Sequence, residues 1–464
     1  MNLWRTAAAF ASVLIFAASS FAGEPLVVGG PNFGKEGEAV VWNPAAMPIQ
    51  YRVDPGPLSV NPTTKAAVIT NSAGRTRVAS MFSVWSSVST AKISFNYAGT
   101  IVAAGSYVEG ADVATMAQFN DVSGSCDVGT QSPVVFDADG SLTIELGMDQ
   151  SVIGFAGPCV MDDAGHINAA MVVMNGKMQD GVNTQTNWEL PSASFDEAIT
   201  HEIGHLLGLG HSQINHNAAS WCTPDELGGL PLMYPYVTCE ARSKIGLPML
   251  ASDDVAWISK LYPGPAFGTS YGKITGRVLF YDGVTQAQGV NVIARRVDDP
   301  ATAANESKRI AVSSVSGFRF TGNPGQSFTA NYLPCTGPSP LCVDGFFSNN
   351  VGGDATGSRN PALIGYYELT VTPGTYTVEI EAIHLGFDIG PIRPPISGVN
   401  PEFWDDGESG LEDRMVKGTV TVAPGQEVTD VDIIFNIPSQ RFDRFEQTSQ
   451  NGPAGLGDAD GRRA

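Results

Sequence analysis

Positive charge is the first thing this chain lacks. Lys and Arg number 26 against 47 Asp and Glu in 464 residues, a formal net charge of −21. A surface of that sign repels phosphate backbones and anionic headgroups, which excludes nucleic acid and acidic membranes as partners. It also resists self-association, so a monomer is expected. Long apolar runs are the second scarcity. Only Ala7–Ala18 stands out, and it falls short of the ~18 residues a membrane span needs, so no stable membrane insertion is expected. Cysteine and histidine are the third, with six of each. The apolar fraction of 43% is ordinary for a globular protein, and the length allows two or three domains.

What is present begins with an export signal. Arg5 precedes the apolar run, and Ser20-Phe21-Ala22 forms a small-x-small cleavage site, so residues 1–22 read as a signal peptide. The expected destination is the exterior or a periplasm. All six cysteines follow that segment: Cys126, Cys159, Cys222, Cys239, Cys335 and Cys342. An even number in an exported chain suggests three disulfides among fifteen connectivities. Pairing of nearest neighbours is the simplest of these and would make Cys222–Cys239 a clamp on the loop carrying Met233.

Half of the histidines lie in one run, His201-Glu202-Ile203-Gly204-His205-Leu206-Leu207-Gly208-Leu209-Gly210-His211. The pattern is H-E-x-x-H-x-x-G-x-x-H. On a helix, His201 and His205 project from one face about one turn apart, a spacing that suits two ligands of one zinc ion. Glu202 stands where a carboxylate can take a proton from a water. Gly208 lets the chain leave the helix in a left-handed conformation that a Cβ disfavours. The turn then returns His211 as third ligand. Three nitrogens leave one position open, the arrangement of a catalytic zinc site. The five fixed positions disfavour the bland alternative, an ordinary amphipathic helix with surface histidines.

This pattern resembles the metzincin zinc peptidases, and its surroundings are similar to the matrixin branch. Leu232-Met233-Tyr234-Pro235 resembles the methionine turn beneath the zinc in that family. Ser252 to Pro263 resembles the helix that closes a matrixin catalytic domain; Ser252 reads as its N-cap, and Pro263 as its stop. The resemblance covers roughly residues 40–265. It implies an α+β zincin-like domain, with a mixed twisted sheet and long helices. It also implies a zinc endopeptidase acting on proteins or peptides, with His201, His205 and His211 on the metal and Glu202 as general base and acid. The chain departs from matrixins in two ways. It has no P-R-C-G-like segment that could hold the site latent through cysteine. The stretch Ser212–Leu232, with His216 and Cys222, is long for the family.

Along the chain, residues 23–39 read as an extended lead-in and 40–265 as the metallopeptidase-like domain. Strands are expected at Ile49–Val53, Ile93–Tyr97, Val134–Phe136 and His166–Met174. Helices are expected at Thr76–Ser89 and Phe195–Leu207. After the linker Pro263–Gly268 the texture changes to short alternating strands over 270–437. This is expected to be an all-β sandwich that resembles carboxypeptidase-regulatory-like (prealbumin-like) domains, with 298–362 as an insertion and 438–464 as a disordered tail. Asp137-Ala138-Asp139-Gly140 offers oxygen ligands beside a tight turn. Structural calcium in the family makes Asp137 and Asp139 candidate ligands, with an acidic hairpin turn as the alternative. Asp405, Asp406 and Glu408 read as a solvated acidic loop, and His166 as an ordinary strand residue. Tyr236 reads as packing rather than as a substrate contact. A rival reading of the whole chain makes it an exported binding protein, with the metzincin fold as scaffold and ligand binding by the sandwich.

Overall fold

The computed structural model describes residues 24–436 apart from 32, 127–130, 185–186, 213, 215–222, 303–304, 321–341, 344–345, 348–356, 359, 382–400 and 411–414. The expected signal segment, His216, Cys222, Cys335 and the expected tail lie outside the described residues.

The first half is a six-stranded sheet with helices on both faces. Its strands are β1 (Val41–Trp42), β2 (Ile49–Val53), β5 (Phe95–Thr100), β6 (Pro133–Asp137), β7 (Gly154–Met161) and β8 (His166–Asn175). A small hairpin, β3 (Ser59–Val60) with β4 (Ala67–Ile69), stands apart from it. The sheet path runs β1-β8-β6-β2-β5, all parallel, and β7 lies antiparallel along β8. Side chains alternate across it, as the two-residue period requires. Val134, Phe136, Val172 and Met174 enter one core, while Val135 and Val173 enter another.

Helices α1 (Asn71–Ser86) and α4 (Ser192–Leu206) pack together over the first face. Val78, Phe82 and Trp85 of α1 and Phe195, Ile199, Ile203 and Leu206 of α4 are buried there at helical spacing. Thr70 caps α1 by accepting from Ala73 N at 3.4 Å. The shorter helices α2 (Met116–Gly124) and α3 (Ser141–Glu145) bring Phe119, Val122 and Leu142 to the second core. Helix α5 (Pro224–Gly229) and helix α6 (Ser252–Leu261) complete the half.

A short helix, α7 (Phe267–Ser270), leads into β9 (Gly272–Leu279), β10 (Asn291–Arg296), helix α8 (Glu306–Arg309) and β11 (Ala311–Val315). The two-residue strands β12 (Cys342–Val343) and β13 (Phe346–Phe347) pair with each other. β14 (Tyr366–Val371), β15 (Gly374–Glu381), β16 (Glu402–Phe403), β17 (Val420–Val422), β18 (Glu427–Val428) and β19 (Ile433–Ile434) follow. One sheet contains β11-β10-β15-β16 with β17 on β15; a second contains β14-β9-β18 with β19 on β9. Ile274, Val278, Val292, Leu369, Val378 and Ile380 fill the space between them.

Three sequence expectations need correction. Residues 298–362 are not wholly an insertion, because Ala311–Val315 pairs along β10 as an integral strand. Its Ser-Ser centre hides the alternation that marks a strand. Ser252 is not the N-cap of α6: Ala251 holds that place, the carboxylate of Asp254 accepts from Ala251 N, and the Ser252 hydroxyl donates to Ala311 O at 2.9 Å. Pro263–Gly268 is not a free linker, since Pro263 bridges Ala91 and α7 begins at Phe267. Within 23–39, Pro25 is bridged to Leu209 and Val28 to Ala39.

Candidate metal centre

Helix α4 carries the first two histidines, and its C-terminal end is tied down with care. The last carbonyls of a helix lack intrahelical donors. Here Trp42 Nε1 donates to Leu206 O at 2.8 Å and Tyr262 Oη donates to Leu207 O at 2.6 Å. Nearly two turns earlier, Trp85 Nε1 donates to Thr200 O at 2.8 Å. Gly208 follows with φ +85°, a conformation that glycine adopts without strain, and Val40 O lies 3.2 Å from where its Cβ would stand. The chain therefore turns and brings His211 back.

The Nε2 atoms of His201, His205 and His211 lie 3.0 Å from one another in all three pairs. Nδ1 of His201 is 2.8 Å from Leu232 O, and Nδ1 of His205 is 2.7 Å from Leu209 O. A carbonyl only accepts, so these Nδ1 atoms carry the protons and the Nε2 atoms present lone pairs. Two lone pairs facing at 3.0 Å repel unless something electropositive sits between them. A triangle with 3.0 Å sides has its centre about 1.7 Å from each corner. Three lone pairs converging at that distance suit a first-row metal ion, whose bonds to imidazole run roughly 2.0–2.1 Å. Among the described residues this is the one group of three or more His, Cys, Asp or Glu placed to hold a metal.

Burial keeps these imidazoles neutral. It pulls His201 down to about 4, and it pulls His205 to about 3 with help from the charge of His201. His211 is held well below the usual histidine range by burial, then by His205 and His201. Neutral imidazole is the form that binds metal. Burial acts oppositely on Glu202 and raises its carboxyl to about 8. Its Oε2 is buried with no hydrogen-bond partner. Gly154, on the sheet-edge strand β7, makes room for it: a Cβ there would stand 3.0 Å from Glu202 Cγ.

Three supports escaped sequence reasoning. The carboxylate of Asp254 accepts from Leu232 N at 2.8 Å and Met233 N at 3.0 Å, which fixes the methionine turn on α6. The buried guanidinium of Arg242 donates to Leu227 O and Leu230 O, both at 2.7 Å, and so orders the approach to that turn. Gly204 lets Met233 lie directly beneath α4, because a Cβ there would run into its thioether. The aspartate pair beside an N-terminal serine was visible in the sequence, but its reach across to residues 232–233 was not.

Other candidates resolve differently. Asp137 accepts from Leu142 N, Thr143 N and Thr143 Oγ1, which braces α3. Asp139 accepts from Ser141 N at 3.2 Å and lies 3.6 Å from Lys65 Nζ. The two candidate calcium ligands lie at a turn and at a helix start. Cys126 and Cys159 form a disulfide, and Cys239 is also disulfide-bonded. His166 pairs with Asp162 at 3.3 Å on the surface. The ring of Tyr236 stacks edge-on against Tyr234, with centroids 5.6 Å apart. Asp405 accepts from Gly407 N at 2.8 Å within its own loop.

The chain matches no family model and no curated protein. Among solved structures, it is similar over 36% of its length to a leucine-rich repeat protein from Bacteroides thetaiotaomicron, with 11% identity and a TM-score of 0.13. The chain spans 14% of that protein's length. A likeness of that size carries no inference about fold or function. No described helix is long and apolar enough to cross a membrane.

Proposed function

We propose that this chain is an exported zinc-dependent endopeptidase acting on proteins or peptides. The observation that carries the reading is the convergence of three neutral Nε2 atoms at 3.0 Å, next in sequence to a buried carboxylate with a free oxygen. His201, His205 and His211 would hold the ion. Zinc, when bound, supplies Lewis acidity toward water and the peptide carbonyl.

Glu202 does the proton work. Its unpartnered Oε2 accepts a proton from the attacking water and then delivers it to the leaving amine nitrogen. Burial places its pKa at about 8 with no cation beside it. With an ion held by the three histidines, the Glu202 carboxyl would favour its charged form and fall back toward the working range of a base. The low-dielectric wall around it, built by α4 and β7, strengthens that coupling.

The test is zinc content and cleavage of casein or gelatin by protein lacking residues 1–22, with Glu202→Ala in parallel. About one zinc per chain and cleavage lost in the variant are expected. Equal cleavage by both forms would remove Glu202 from the chemistry and sink the reading.

A further inference from the structure

The three ligands are not held alike. His201 and His205 each anchor Nδ1 on a backbone carbonyl, but Nδ1 of His211 is buried with no partner. The third imidazole therefore takes its place from its backbone on either side. On one side, Gly210 N donates to Glu24 O at 2.7 Å. On the other, Ser212 N donates to Met233 O at 2.8 Å.

Both flanks lead to one strand of the sandwich. The carboxylate of Glu24 accepts from Val315 N at 3.2 Å. Ser212 Oγ meets Ser313 Oγ at 3.3 Å and is also hydrogen-bonded to the carboxyl of Asp253. Asp253 in turn accepts from Ser313 N at 2.8 Å, while Trp257 Nε1 donates to Ser313 O at 2.8 Å. Ser212 and Ser313 are both fully buried. Alternation along β11 sends Ser313 toward the first half, whereas Val312, its neighbour, joins the sandwich core.

We infer that β11 of the sandwich is a positioning element of the metal site, bracketing His211 through Ser313 at one flank and through Glu24 at the other. The inference rests on the metal-site reading above. The sandwich is then a fixed part of the site rather than an appended module. Groups that orient a ligand from outside commonly change metal affinity 10–100-fold when removed.

The test uses the full exported chain and reads the metal, not turnover. Ser313→Ala removes only the hydroxyl, and Glu24→Ala is an independent variant at the other flank. Ser314→Ala, equally buried on the same strand with its hydroxyl unpartnered, is the control. Zinc affinity is measured by chelator competition, and ligand geometry by the visible absorption of cobalt-substituted protein. Each flank variant should weaken zinc about 10-fold and shift the cobalt spectrum, with the control unchanged. Folded flank variants with wild-type affinity and spectrum overturn the inference, even if they melt earlier; so does equal weakening by Ser314→Ala. Wild type that binds no zinc overturns the metal-site reading and this inference with it. Wild type that binds zinc without cleaving peptide overturns only the peptidase reading.

Discussion

Gly204 and Met233 share one space: the thioether of Met233 lies where a side chain on Gly204 would begin. The contact presses the methionine turn against the helix that carries two of the three histidines. Replacing Gly204 with alanine sets two effects against each other. Helix propensity favours alanine by about 1 kcal/mol. Overpacking costs about 1–3 kcal/mol. Trp85, the other neighbour, is pinned by its bond to Thr200 O and cannot yield. Gly204→Ala should therefore lower stability by about 1 kcal/mol and weaken zinc retention. Denaturant unfolding and metal analysis check both; a stabilised variant would count against the close packing.

Asp254 is expected to be the most costly single truncation near the site. Its carboxylate receives N–H groups from Ala251, Leu232 and Met233, all buried. Asp254→Ala strands these donors and should cost about 3–5 kcal/mol, in the range of broken buried charge networks. Loss of zinc should accompany it. A change under about 1 kcal/mol would show that water replaces the carboxylate.

Metal removal should destabilise the chain. Zinc that binds only the folded form, at a thousandfold excess over its Kd, contributes about 4 kcal/mol. Chelation should therefore lower Tm, and zinc should restore it. In the metal-free protein the histidines add an acid dependence. Their folded pKa values, about 4 for His201 and about 3 for His205, lie below the ordinary 6.5. As pH falls below 6.5 the unfolded chain takes up protons that the fold refuses, so stability declines until those lower values are passed. Unfolding of chelated protein at pH 7, 6, 5 and 4 tests the slope, which His201→Gln should reduce.

Between the halves, Glu368 pairs with Lys260 of α6. Burial pushes the Glu368 carboxyl up, but Lys260, then Arg319 and Lys273, outweigh it and hold it at about 2. Its contribution is fully present above the ordinary 4.5 and is lost as pH falls through about 2. Burial pulls the Lys260 ammonium below the usual lysine range, and Glu368 opposes that pull. Glu368→Gln should cost about 3 kcal/mol at neutral pH by leaving the ammonium unpaired. It should also flatten the acid limb below pH 4.5, a difference that parallel urea titrations would reveal.

The sequence is most informative where local geometry alone sets the structure. His201, His205, Gly208 and His211 are fixed by helix period and one positive-φ turn, and the rings do converge. Strands β2, β6 and β8 are β-branched and bounded by turn residues, so their positions are legible. β7 is not, because Gly154, Gly157 and Pro158 dilute its pattern, yet it pairs along most of β8. Asp137 reads as an oxygen donor at a turn, and nothing in the sequence reveals the three donors that its carboxylate accepts from. The roles of Asp254, Arg242 and Ser313 depend on partners far along the chain, and local pattern carries no trace of such pairings.

The link of β11 to both flanks of His211, direct at Ser212 and through Glu24 at Gly210, also bears on how such a chain can change over generations. A domain joined by a loose tether can be lost, duplicated or exchanged while its neighbour keeps working. Here a recombination at residues 263–270 would deliver a first half whose His211 segment has lost its backing, and a sandwich with a buried strand laid bare. Descendants are therefore expected to inherit the two halves as a pair, with substitutions at Ser212, Asp253 and Ser313 arising in concert.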